Sequence, residues 1–452
     1  MKLQQITAFL IIFYLSSYSQ TITLEFPAFA GKTYNFIIFQ GGKQEIIQQD
    51  TIPANGIIGI SIPKKYVPYT GMCRWMITNS QEGGGLDMAI PGYDFSVSCL
   101  SDKPNNDNII YNGFDAVNEL NRLNIEQKQI IDKFDVMNKA LQLYEKNHPL
   151  YDSFTKEMED QIVAFELFQA NLKKNTNFNA RVLPIINLVN GIPNKLTNDN
   201  NKIALLIKDY ITKQLDFNDL FVSGQWDLVI KNWVMIHINV IENKKYFVED
   251  FQTITNRINS PELYTDFTGK TTYYLTQYGK DDYIDTIAHT VLESKKVIAY
   301  SGSMQVYLKA IPGMQAPDLV VPNNVKKSGF QTNSTNILKS NKFAVGKFKK
   351  TLLLFYQSSC GPCEELLKKL PEQYAALKAK NIDIIAVSAD ENEQEFINTS
   401  KKFPWLRTFC DFDGRNGINF KNYAVVGTPI LYLIDKSGKI ERRIYDVSEI
   451  LK

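Results

Sequence analysis

Two cysteines that lie three residues apart, Cys360 and Cys363, carry the clearest chemistry in this 452-residue sequence. Two thiols at that spacing can form a disulfide with each other or supply half of a zinc site. A zinc site needs four ligands, and the sequence has no second pair of this kind. Its three histidines, His148, His237 and His289, all precede residue 300. The spacing therefore favours a redox dithiol, with no metal.

The residues on either side of the pair predict the elements that position it. Thr351–Tyr356 is a short apolar run, typical of a buried strand, and an amphipathic helical pattern begins just after Cys363. At a helix N-terminus, free backbone N–H groups and the helix dipole favour a thiolate over a thiol. Cys360 comes first, so it is predicted to be the attacking thiolate. Cys363 lies one turn further on and is predicted to resolve the mixed disulfide.

The motif Cys-Gly-Pro-Cys after a strand that ends in Phe355-Tyr356 resembles the active site of the thioredoxin superfamily, and more narrowly its exported TlpA-like branch. A second landmark agrees, because Val426-Gly427-Thr428-Pro429 precedes the strand-like run Ile430–Asp435. The resemblance implies a cis peptide bond before Pro429, facing the dithiol. It also implies that the substrate contacts Gly361, Pro362, Thr428 and Pro429.

Two positions depart from the family pattern. Thioredoxin carries a buried Asp six residues before its first cysteine, where this chain has Leu354. Some TlpA-like reductases carry a Glu three residues after the second cysteine, where this chain has Leu366. Either carboxylate would relay the proton of the buried thiol. The dithiol chemistry is expected to survive, but the sequence leaves the proton acceptor for Cys363 unassigned.

The N-terminus predicts export. Lys2, the apolar run Ile6–Leu15 and the small polar residues that follow are typical of a signal peptide over 1–19, with cleavage near Ser19. The apolar run is too short to span a bilayer, although an uncleaved N-terminal anchor is the alternative. The mature protein is expected to be soluble in the periplasm or associated with the cell envelope. Its 50 basic and 48 acidic residues give no reason to expect nucleic-acid binding.

Changes in periodicity divide the remaining chain into three predicted domains. Residues 20–101 read as short strands between Gly-rich turns, which indicates an antiparallel β-sandwich-like domain. Residues 102–310 follow a helical pattern, and no function is assigned to them. Residues 311–452 alternate strands and helices, as the resemblance to a thioredoxin-like α/β domain requires. Cys73 and Cys99 lie on predicted strands and could form a structural disulfide, or they could be two free buried thiols.

The sequence thus predicts an exported thiol-disulfide oxidoreductase, leaning toward a disulfide reductase, that acts on disulfides in proteins or on small disulfides. No nicotinamide or flavin motif is present, so no cofactor is expected and another redox protein should supply electrons. The N-terminal domains would position partners or form a homodimer. One alternative is a thiol peroxidase of related fold, although Gln357 occupies the place of its Thr. The other is a binding protein with a vestigial thioredoxin-like domain.

Overall fold

The structure is a computed structural model, and it describes residues 20–79, 84–114, 116–322, 337–425, 427–444 and 447–451. The predicted signal peptide over 1–19 lies outside the described residues. The chain divides into two compact units between Ile236 and His237. This division falls inside the helical domain predicted over 102–310, and the predicted domain boundaries stay predictions.

The described part of the first unit begins with eight strands, and in several of them buried and more exposed residues alternate, as they do when one sheet face is packed. They are β1 Thr21–Glu25, β2 Thr33–Gln40, β3 Lys43–Thr51, β4 Ile57–Ser61, β5 Thr70–Thr78, β6 Gly85–Pro91, β7 Phe95–Ser98 and β8 Ile110–Asn112. Two four-stranded sheets result, with orders β4-β1-β7-β8 and β3-β2-β5-β6. The ring of Phe26, next to β1, lies 4.6 Å from that of Trp75 on β5, so apolar side chains join the two sheets.

Two details of this β region differ from the prediction. Strands β1 and β7 run parallel, whereas an antiparallel arrangement was expected throughout. Strand β8 lies beyond the predicted limit at residue 101. Its three residues are too few to show a period in the sequence, and only pairing with β7 makes them a strand.

The rest of the first unit is helical: α1 Ala116–Leu143, α2 Tyr151–Lys174, α3 Phe178–Val189, α4 Asn200–Lys213, α5 Phe217–Phe221 and α6 Trp226–Ile236. Helices α1 and α2 form the predicted hairpin across the break at His148-Pro149, and the Tyr144 and Phe154 rings lie 5.4 Å apart beside the turn. Leu123, Phe168 and Leu183 join α1, α2 and α3 in one apolar cluster. These helices therefore pack through the apolar stripes that the sequence shows.

The second unit opens with a π-helical turn at His237–Ile241 and three helices, α7 Lys244–Arg257, α8 Pro261–Gln277 and α9 Asp281–Glu293. Ser260 caps α8 by accepting from the Leu263 N–H, and Pro261 follows at the first helical position. After α10 Val306–Lys309, the short strands β9 Leu319–Val320 and β10 Ile337–Leu338 pair with each other.

A five-stranded sheet forms the core of the second unit. In chain order its elements are β11 Lys350–Tyr356, α11 Gly361–Ala379, β12 Ile382–Ser388, α12 Glu393–Ser400, β13 Arg407–Cys410, α13 Ile418–Tyr423, β14 Ile430–Asp435, β15 Ile440–Ile444 and α14 Ser448–Leu451. The strand order is β13-β12-β11-β14-β15, with β11, β12 and β13 parallel and the other pairs antiparallel. The predicted combination of β, helical and C-terminal α/β regions is confirmed.

The central strand β11 is buried on both faces. Leu353 and Phe355 enter the apolar cluster on one face, and Leu352, Leu354 and Tyr356 enter the cluster that contains α11 on the other. A strand without an exposed face reads as a continuous apolar run, which is why the sequence signal was strong.

The N-terminal cysteines are free, which is the second of the two interpretations that the sequence left open. The Cys73 thiol donates to the Met88 carbonyl at 3.4 Å, and the Cys99 thiol to Asn108 Oδ1 at 3.3 Å. Cys73 is on β5 and Cys99 directly follows β7, and these strands belong to different sheets, so each thiol has its own hydrogen-bond partner. Among the described residues, none of the helices combines the length and the apolar character needed to cross a bilayer.

Candidate active site

The dithiol lies where the sequence places it, at the junction of β11 and α11. Cys360 is the N-cap residue of α11, with extended backbone angles, and its carbonyl accepts the helical hydrogen bond from the Glu364 N–H at 2.9 Å. Pro362 occupies the second helical position, where a missing N–H costs nothing because it would have no helical partner. Cys360 is half-buried, whereas Cys363 is fully buried in the cluster beneath the helix.

The loop that contains Thr428 and Pro429 lies against the first cysteine. The Thr428-Pro429 peptide bond is cis, and the Thr428 carbonyl oxygen lies 3.3 Å from Cys360 Sγ. In its thiol form, Cys360 donates to this carbonyl. The structure thus brings together Cys360, Cys363, Thr428 and Pro429, while Gly361 and Pro362 are exposed beside them. Val426 lies outside the described residues.

The pKa values of the two thiols are shifted in opposite directions. Partial burial acts to raise the pKa of Cys360, but hydrogen bonds to its sulfur from the Cys363 backbone N–H and thiol act against this effect. The Thr428 hydroxyl and the positive charge of Arg415 lower the pKa further, so that it lies below the ordinary value for cysteine. Burial raises the pKa of Cys363 to about 12. Cys360 can therefore be a thiolate while Cys363 keeps its proton.

A buried carboxylate that the sequence analysis missed holds the loop before the dithiol. Asp390 is 1% exposed, and its two carboxylate oxygens accept from Ser358, one from the backbone N–H at 2.7 Å and one from the hydroxyl at 2.6 Å. Hydrogen bonds to a charged acceptor are stronger than neutral ones. Asp390 thereby fixes the segment that leads into Cys360.

A sequence signal for Asp390 did exist. It stands two residues after β12, which pairs in parallel with β11. Neighbouring parallel strands end at the same edge of a sheet, so the residues after β12 must lie beside those after β11. Arg415 was also missed, because it belongs to a loop distant in sequence. Its Nη2 donates to Gln357 Oε1 at 3.3 Å.

The positions of the two family carboxylates are apolar. Leu354 is fully buried in the cluster that contains Cys363, and Leu366 packs partly buried against the same cluster. Both departures seen in the sequence therefore leave an apolar surface around Cys363. Among the described residues, no group of three or more His, Cys, Asp or Glu side chains is arranged to hold a metal ion.

Comparison with known proteins agrees with this geometry. Residues 347–440 match the family model described as thioredoxin-like. The C-terminal domain belongs to the thioredoxin superfamily. The resemblance seen in the sequence, including that to the TlpA-like branch, is confirmed.

Two curated relatives and one solved structure show how far the similarity extends. The chain is 36% identical over 94 residues to "Probable nucleoredoxin 1" of Arabidopsis thaliana, a match that covers 20% of this chain and 16% of the relative. It is 35% identical over 98 residues to "Thiol-disulfide oxidoreductase ResA" of Bacillus thuringiensis, which covers 22% of this chain and 56% of the relative. The C-terminal domain of a putative thiol-disulfide oxidoreductase from Bacteroides thetaiotaomicron aligns at 23% identity with a TM-score of 0.26, over 31% of this chain and 91% of that one. The chain thus spans 16% and 56% of the two curated relatives.

The different acidities of the thiols predict an ordered alkylation. We expect iodoacetamide to modify Cys360 first, with a pH midpoint below the value of about 8.5 for an ordinary cysteine. Cys363 should stay unmodified between roughly pH 6 and 9, because the thiolate is the reactive form. Mass spectrometry of the labelled peptides measures both rates, and Arg415→Met should raise the Cys360 midpoint. Faster labelling of Cys363 would contradict the assignment.

The Asp390 contact predicts a difference between two adjacent serines. Ser358→Ala removes a hydrogen bond to a buried carboxylate and should lower the free energy of unfolding by about 1.5–3 kcal/mol. Ser359 is exposed, so Ser359→Ala should change it by less than about 0.5 kcal/mol. Urea unfolding, followed by a spectroscopic signal from the second unit, measures both changes in the free energy of unfolding. Equal effects of the two substitutions would count against a structural role for the Asp390 contact.

Proposed function

We propose that this protein is a thiol-disulfide oxidoreductase that acts mainly as a disulfide reductase. The observation that carries the proposal is the pairing of a half-buried Cys360 of lowered pKa with a buried Cys363 whose pKa is about 12. Such a pair separates the attacking and resolving roles before a substrate arrives. The names of the curated relatives agree with this class of reaction.

The reaction would proceed in two exchanges. The Cys360 thiolate attacks one sulfur of a substrate disulfide, so that the substrate S–S bond breaks, a mixed disulfide forms and the leaving thiolate takes up a proton. Cys363 then loses its proton and attacks Cys360 Sγ. The second substrate thiol leaves, and the Cys360–Cys363 disulfide forms. The substrate gains two electrons from the dithiol and two protons, one from Cys363 and one from solvent, because Cys360 was already a thiolate.

The surroundings of the dithiol support reduction as the direction of the reaction and disulfide-containing proteins as the substrates. The exposed Gly361-Pro362 sequence is that of thioredoxin, which leans toward reduction. The backbone beside the cis Pro429 offers groups that can pair with an extended segment of a substrate protein. Electrons to restore the dithiol would come from a second redox protein. Dimerisation through the N-terminal domains stays a prediction.

Insulin reduction with dithiothreitol tests the activity. The wild-type protein should accelerate precipitation of the insulin B chain, and Cys360→Ser should abolish this effect because no attacking thiolate remains. Cys363→Ser should instead accumulate mixed disulfides with substrate proteins, visible on a non-reducing gel. Cys99→Ser is a matched control at a buried cysteine of the other unit and should keep wild-type turnover. Peroxide consumption without insulin reduction would favour the peroxidase, and neither activity would favour the binding protein.

We also propose that the protein is exported. The proposal rests on the signal-like pattern of Lys2 and the apolar run that follows it. Mass spectrometry of the protein purified from its native host should find a mature N-terminus close to Gln20. Recovery from the cytosol of a chain that still begins at Met1 would contradict export.

A further inference from the structure

A cleft of about 740 Å³ in the second unit adjoins the dithiol. Pro362, Thr428 and Pro429, which flank the two cysteines, line part of it. The turn that joins α8 to α9, residues 276–281, lines it as well, through Thr276, Gln277, Gly279 and Asp281. A segment that lies about 80 residues before the dithiol in sequence thus forms a wall of the cleft beside it.

Ion pairs anchor this α8–α9 turn to the five-stranded sheet. The side chain of Arg443, on β15, is 2% exposed and lies 3.4 Å from Asp281 Oδ1 and 3.5 Å from Asp285 Oδ1. Its guanidinium also stacks over the Tyr432 ring at 5.5 Å. A buried charge separated from its partners is costly, so the turn is held against β15.

The backbone of the turn is also fixed from within. The Gly279 N–H donates to the Thr276 carbonyl at 3.1 Å, and the Lys280 N–H to the Leu275 carbonyl at 2.8 Å. Gly279 has a φ of +65°, which side-chain-bearing residues rarely adopt. The wall is therefore preorganised, and a substrate would not have to order it on binding.

The lining of the cleft is apolar at its floor and polar at its rim. Leu366, Ile430 and Ile444 are buried or half-buried, whereas Glu365, Lys369 and Arg415 are exposed and carry both signs of charge. An apolar floor favours an uncharged side chain. The volume lies within the range of about 300–1,000 Å³ found for clefts that hold small ligands, so it admits a chain segment and not a folded domain.

We propose that the α8–α9 turn is the specificity-determining wall of the substrate cleft, which accepts one extended segment with an apolar residue next to its disulfide. This inference rests on the proposed reductase function. Gln277 is the residue of the turn best placed to determine fit, because its side chain is exposed and lines the cleft. The apolar residue of the substrate would then occupy the floor while Cys360 attacks the adjacent sulfur.

Substitution of Gln277 tests the wall directly. Two peptides, each with one cysteine joined to thionitrobenzoate through a disulfide, carry Leu or Asp next to that cysteine. Free 5,5′-dithiobis(2-nitrobenzoate) serves as the small disulfide. The reduced full-length protein should react with the Leu peptide about tenfold faster than with the Asp peptide, a typical effect of an apolar contact in a pocket. Release of the coloured thiolate gives each rate.

Gln277→Trp should narrow the cleft and lower the rate of reaction with the Leu peptide about tenfold. The rate of reaction with the small disulfide should change less than about twofold. Tyr278→Trp is the matched control, because this adjacent residue is 39% exposed and is not among those that line the cleft. Gln277→Glu is a second variant that alters charge rather than bulk. It should slow the Asp peptide relative to the Leu peptide, and Tyr278→Glu should not.

The outcomes separate the two proposals. A wild-type protein that reduces neither insulin nor the small disulfide would overturn the reductase function. An active wild type whose Gln277 variants match the corresponding Tyr278 variants would overturn the wall alone. Equal wild-type rates for the Leu and Asp peptides would overturn the apolar preference. If Gln277→Trp does not fold, the Gln277→Glu comparison decides.

Discussion

The burial of β11 is the constraint on which the active site depends. Its residues from Thr351 to Tyr356 have no exposed face, and a one-residue slip would exchange the side chains that pack into the two apolar clusters. The strand therefore fixes where the chain emerges and where α11 begins. That point sets Cys360 at the helix N-terminus and Cys363 in the cluster beneath it. The difference in acidity follows, since one sulfur meets hydrogen-bond donors and the other meets apolar side chains.

In the proposed reaction, Cys363 must lose its proton in apolar surroundings. Leu354 and Leu366 offer no acceptor, and the buried carboxylate of Asp390 binds Ser358. Asp390 and Cys363 both act to raise the pKa of Tyr356, behind the larger effect of its burial, so the two groups lie near the same phenol. Because both of its carboxylate oxygens accept from Ser358, Asp390 is a positioning residue for the loop. In the proposed reaction, the departing substrate thiolate is itself a base that can take this proton.

The sequence predicted the parts of the site that local chemistry specifies. The Cys360 and Cys363 spacing, the strand before them and the proline at 429 are visible in short windows, and each was found in place. Short windows do not show the parts that long-range contacts bring to the dithiol. Parallel strand pairing brings Asp390 there, a distant loop brings Arg415, and ion pairs hold the α8–α9 turn. The division into two compact units at Ile236 is not visible in the sequence for a related reason. Helical periodicity runs through both units and does not show which helix packs with which sheet.

The edge of the sheet near β15 restricts where a substrate can pair. An edge strand presents unpaired backbone groups that another chain could bind. Here the connector before β9 occupies part of that edge, since the Gly313 N–H donates to the Ile440 carbonyl at 2.7 Å and the Ile440 N–H to the Met314 carbonyl at 2.9 Å. Arg443 further along the strand holds α9 through its ion pairs. Backbone pairing at this edge is therefore partly blocked, which supports the proposal that a substrate pairs with the loop at Thr428 and Pro429 instead.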